Sequence, residues 1–145
     1  MRVKKFDSEE NLQIMVADYL RLQYPNVLFH SDYGSGIKLT IGQAVIQKRL
    51  NGGKRSWPDM FIAKKGVDRR DISECNRCIA LFPANGLFLE LKKDGTRLKK
   101  KDGSWANEHI AEQAETLEQL RKEDYKAEFA VGFDEAKQII DEYLS

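Results

Sequence analysis

Cysteine is nearly absent, at two of 145 residues. Cys75 and Cys78 form one Cys-x-x-Cys step with no second pair. Two thiols cannot close a tetrahedral zinc site within one chain, although a symmetric dimer could bring two more; reduced loop cysteines are the expectation. No segment approaches the apolar length of about 20 residues that crosses a bilayer. The start Met1-Arg2-Val3-Lys4-Lys5 leads into a charged helix rather than an apolar signal core, so no membrane association and an intracellular location are expected. An excess of either charge is missing too. The formal net charge is +1 with 32% of residues charged, which argues neither for nor against a polyanionic partner. The chain shows no repeat and no low-complexity tract.

What is present is unevenly distributed. Lys48, Arg49, Lys54 and Arg55 precede the step Ser56-Trp57-Pro58-Asp59-Met60, and Lys92, Lys93, Arg97, Lys99, Lys100 and Lys101 follow Leu89-Glu90-Leu91, whereas the stretch from Glu112 to Glu142 is rich in acids. The length, 1–145, suits one domain with a real core and one active site.

Periodicity gives the elements. Asp7 or Ser8 caps a helix from about Glu9, with Leu12, Val16 and Tyr19 on one stripe, ended by Tyr24-Pro25. Val27 to Phe29 reads as a short strand, Tyr33 to Gly36 as a glycine-rich break, and Gln43 to Leu50 as a short helix before Gly52-Gly53. Met60 to Ala63 is a second strand with Asp59 at its entrance. Residues 64–85 carry the cysteines, lack a clear period and read as an insertion or long loop. Gly86 to Lys92 is a third strand, followed by a charged turn or hairpin extension to Gly103 with two Asp-Gly pairs. A long helix carries Ile110, Ala114, Leu117 and Leu120; a fourth strand covers Ala127 to Val131, and a closing helix Phe133 to Leu144 turns Ala136, Ile139, Ile140 and Leu144 inward. That order predicts an α/β fold, a central mixed sheet flanked by helices.

The chemistry lies where the second and third strands begin and end. Alternate strand side chains share a face, so Glu90 and Lys92 point one way and Leu89 and Leu91 the other. Magnesium or manganese prefers oxygen ligands, and Asp59, Glu90 and the Leu91 backbone carbonyl offer three, leaving water and a phosphate oxygen to complete the shell. Lys92 then orients or helps deprotonate that water and offsets charge on the phosphate. Pro-Asp followed by Glu-x-Lys on an apolar strand resembles the signature of the PD-(D/E)XK nuclease superfamily.

Two polar residues interrupt apolar stripes. Glu9 continues the inward stripe of the first helix, whereas Glu10 has a simpler role in a capping box that reaches back to the helix start, so Glu9 is the preferred site acid. Gln13 follows on the same side. Gln113 falls between Ile110 and Leu117, and a buried amide left without a partner costs about 1–3 kcal/mol, so it serves either the backbone beside the site or a water or phosphate within it. His109 reads as a solvated or capping side chain.

The chain resembles the VRR-Nuc branch of that superfamily along nearly its whole length. The resemblance rests on Glu9-Glu10-Asn11-Leu12-Gln13, Tyr24-Pro25, Phe29-His30, Trp57-Pro58-Asp59, Gly86 through Lys92, and Glu112-Gln113 with Leu117 and Leu120. It implies a restriction-endonuclease-like core and a site of Glu9, Asp59, Glu90, Lys92 and Gln113, with Glu9 serving a second cation directly or through water. Lys48, Lys54, Arg55 and Lys99 would contact the DNA backbone without reading sequence. Residues 64–85 depart from compact members, which have a short turn there. Stand-alone members occur in phages and bacteria and resemble dimeric resolvases. The expected function is therefore a metal-dependent DNA endonuclease acting on branched DNA such as four-way junctions, as a homodimer, in the cytoplasm or a phage host's cytoplasm. The alternatives are a nonspecific nuclease or exonuclease with the same chemistry, and a nucleic-acid-binding accessory domain without catalysis.

Overall fold

The computed structural model describes residues 9–32, 38–54, 57–71 and 79–145. The chain runs α1 (Glu9–Gln23), β1 (Phe29–Ser31), α2 (Ile41–Leu50), β2 (Met60–Ile62), β3 (Gly66–Asp71), β4 (Ile79–Ala84), β5 (Leu87–Lys92), α3 (Glu108–Lys122), β6 (Lys126–Val131) and α4 (Gly132–Leu144). Strands β1, β2, β5 and β6 form a mixed sheet in that order. β5 pairs antiparallel with β2 and parallel with β6.

Strand β5 is central and buried along its whole length. Leu87, Leu89 and Leu91 face a core shared with Leu12, Val16 and Leu20 of α1 and Ala136, Ile140 and Tyr143 of α4. On the other face Phe88 meets Leu117 of α3 and Ala127. Burying a leucine of this kind contributes about 1.5–3 kcal/mol, so β5 is the part of the sheet least free to move. Asn107 caps α3 by accepting from the Ile110 N–H at 2.9 Å. Among the described residues no helix is long and apolar enough to cross a membrane.

Three expectations change. The first strand lies at Phe29–Ser31 rather than Val27 to Phe29, because the turn after α1 extends through Val27, whose N–H donates to the Tyr24 carbonyl at 3.0 Å. The buried α1 stripe ends on Leu20 rather than Tyr19; the Tyr19 hydroxyl instead donates to Asp141 of α4. Within 64–85, β3 and β4 form an antiparallel hairpin. Its alternation is inverted. Val67 and Leu81 are exposed while Asp68 is buried, paired with Lys126 at 3.1 Å and Arg70 at 2.7 Å. The expected caps Asp7 and Ser8, the break at Tyr33 to Gly36, and Cys75 and Cys78 lie outside the described residues.

Candidate active site

Strands β2 and β5 pair only from Met60↔Leu89 to Ile62↔Leu87. Continued one residue further, the register would set Asp59 opposite Glu90, and Pro58 next, but proline has no N–H to extend the ladder. The strands part there. The Asp59 carboxylate closes the gap by accepting the Leu91 N–H at 2.8 Å. Since the N–H and C=O of one strand residue project toward the same neighbour, the Leu91 carbonyl faces the same gap. The Asp59 main chain is fixed in turn: its carbonyl accepts from the Asp32 N–H at 2.8 Å and from Gln13 Nε2 at 3.4 Å.

Glu90 and Lys92 lie on the α3 side of β5, as alternation requires, and both are buried. Gln113 Nε2 donates to Glu90 Oε1 at 2.6 Å, and Lys92 Nζ stands 3.6 Å from the same oxygen. Burial, then the Asp59 charge, pushes the Glu90 carboxyl up to about 9, and burial also raises Asp59 against the pull of the Leu91 N–H. Burial and the Asp59 charge thus favour the protonated form of Glu90, while the Lys92 ammonium beside it favours the carboxylate.

This arrangement fits a divalent cation. The Lys92 charge acts on both desolvated acids, and Gln113 Oε1 is a buried acceptor that finds no hydrogen-bond partner among the described residues, a position that a water on an ion would satisfy. Asp59, Glu90 and the Leu91 carbonyl are the residues that would hold the ion. Among the described residues no set of three or more His, Cys, Asp and Glu is arranged to hold a metal, so a backbone oxygen is needed to reach three protein ligands.

The remaining sequence candidates separate. A cleft of about 450 Å³ brings together Glu9, Asp59, Glu90, Lys92 and Gln113, with Lys48, Lys54 and His109 also on its walls. Glu9 is exposed at the mouth and its charge still acts on both buried acids. Lys99 does not line this cleft; it pairs with Trp105 in an isolated bridge, with its ammonium 4.8 Å from the indole centroid. Arg55 lies outside the described residues. Sequence reasoning missed the role of Gln13, which ties Ser31 Oγ at 2.6 Å and the Asp32 carbonyl at 2.5 Å to Asp59. Its position one turn beyond Glu9 was the available signal.

No family model matches the sequence, and no curated protein matches it. A solved structure described as a VRR_NUC domain protein aligns with a TM-score of 0.57 and 25% sequence identity, covering 94% of this chain and 87% of that one. A mixed sheet between α1, α4 and α3, with an acid-lysine strand at its centre, is thus the fold of a known nuclease group: the chain has the VRR-Nuc fold of the PD-(D/E)XK superfamily.

Proposed function

We propose that the protein is a magnesium- or manganese-dependent DNA endonuclease acting on branched DNA such as four-way junctions. The observation that supports this best is the buried Asp59, Glu90, Lys92 and Gln113 group, with the Gln113 acceptor unsatisfied among the described residues, on a VRR-Nuc fold. A bound divalent ion would supply Lewis acidity, lowering the pKa of a water and neutralising the scissile phosphate. Asp59 and Glu90 contribute the negative charge that holds it, and Gln113 fixes the Glu90 rotamer through Nε2 while offering Oε1 to a water hydrogen. Lys92 positions the nucleophile and offsets charge on the phosphate. Glu9 stands at the mouth for a second cation, held directly or through water. Lys48 and Lys54 on the cleft wall bind the backbone without reading sequence.

Resolving a four-way junction requires two symmetry-related cuts, so this substrate entails a twofold homodimer. The test incubates pure protein with matched linear, splayed and four-way DNA in magnesium, manganese and chelator, beside light scattering. Paired, cation-dependent incisions by a dimer are expected. Equal cutting of linear duplex by a strict monomer replaces this reading with a general nuclease, and binding without cutting replaces it with an accessory domain.

A further inference from the structure

Beside the acidic cleft runs a second groove, of about 580 Å³, whose lining is unlike that of a phosphate site. Its floor is aromatic. Register pairs His30 with Phe61 and Phe61 with Phe88, so three rings from three strands share one face of the sheet. The Phe61 and Phe88 rings stack at 4.4 Å, and Trp57 leans over Phe88 at 6.1 Å and 48°. Trp57 Nε1 donates to the Asn51 carbonyl at 3.2 Å, which fixes the indole while 42% of the residue stays exposed. The far wall is α2, a helix with a complete Thr40–Gln43 capping box that buries none of its residues.

Among the described residues no lysine or arginine lines this groove, whereas Lys48, Lys54 and Lys92 line the cleft beside it. The two share Asp32, Leu39, Gln47, Asn51 and Trp57. Phe88 precedes Glu90 by two residues on the same face of β5, a separation of about 7 Å. Cations thus collect where the carboxylates are, and flat apolar surface lies one pleat away. An uncharged ring on a chain whose phosphates lie in the cleft meets both demands. A second copy seated on α2 would cover the residues the cleft shares.

We infer that this groove is a stacking subsite for an unpaired nucleobase of the strand being cut, held against the exposed Trp57 indole, which Phe88 backs from below, next to the scissile phosphate. The inference rests on the cleft taking nucleic acid. It makes locally single-stranded DNA, as at a fork or junction, a better ligand than closed duplex, because the base reaches the groove without being unstacked from a helix.

The test compares a short oligothymidylate with an abasic phosphodiester of equal length and charge, both binding the full-length protein in chelator. The intact strand is expected to bind roughly 5- to 150-fold tighter, the range for one base on an aromatic ring. Trp57→Ala should remove most of that preference with an unchanged salt dependence, since the phosphate contacts remain. Trp57→Phe should keep it. In a Trp105→Phe background the Trp57 fluorescence should respond to the intact strand alone. Equal affinity of wild type for the two strands overturns the inference, as does a preference that survives Trp57→Ala. A dimer that Ile46→Glu with Leu50→Glu splits, leaving base preference intact, also overturns it and gives the groove to a second copy. Failure to cut DNA in magnesium with the preference intact removes only the nuclease reading.

Discussion

Replacing Glu90 with glutamine should strengthen the fold while disabling the site. The amide keeps the size of the side chain and the acceptor for Gln113 Nε2, but removes an acid whose pKa is about 9 when folded against 4.5 ordinarily. A group that holds its proton more tightly in the folded state stabilises fully below its unfolded pKa and loses that contribution as pH rises toward the folded value. Each pH unit in that window is worth about 1.4 kcal/mol. Between about pH 4.5 and pH 7.5 the stability of the variant should therefore gain on that of wild type by about 4 kcal/mol. The assay is urea unfolding in chelator at several pH values across this range, repeated with magnesium. Magnesium should restore wild type at the upper pH and leave the variant unchanged, because only wild type offers both carboxylates. A gap that does not widen with pH refutes the argument. It would mean that Glu90 is already ionised in the free protein, with Lys92 as sufficient counter-charge.

Asp59→Asn should lower cleavage by more than about a hundredfold without lowering the thermal midpoint, since the amide oxygen can still accept the Leu91 N–H and a buried acid is removed; full activity in the purified variant would sink the metal site. Glu9→Gln should slow cleavage about tenfold or more without altering the melt, whereas Glu10→Gln should leave the rate alone; parallel rate and melting measurements that reverse this assignment refute it. In Gly86→Ala the new methyl would stand 2.6 Å from a Phe61 ring carbon and 3.0 Å from the Ile62 carbonyl oxygen. The variant should unfold about 1–3 kcal/mol more readily, and an unchanged urea midpoint would show that β2 yields at this point.

Where local pattern and packing agree, the sequence was readable. Leu89 and Leu91 are core residues and Glu90 and Lys92 are not, because a strand buried on both faces still separates its two sets of side chains. Gln113 was visible for the complementary reason, as one amide on an apolar helical stripe that does turn inward. The β3–β4 hairpin escaped because Asp68 faces inward on an ion pair while Val67, Ile79 and Leu81 face solvent, the reverse of what alternation teaches. Gln13 escaped because its partners Ser31, Asp32 and Asp59 lie 18, 19 and 46 residues away. Its place one turn beyond Glu9 marks the side of α1 that it occupies, not partners at that range. Lys99 belongs to the basic flank in sequence, but its ammonium lies over the Trp105 ring, across an isolated bridge that follows β5.

The parting of β2 and β5 has one further effect. Along the rest of that seam each rung joins main chain to main chain, yet at Leu91 the acceptor is a carboxylate oxygen of Asp59. The amide proton of a buried core residue is thereby held by one of the two acids that would hold the ion, and that acid in turn feels the charge of the other. Its resonance and its exchange with solvent would report on Asp59 directly, so binding of a divalent ion at the proposed site could be followed from a single backbone signal with no substrate present.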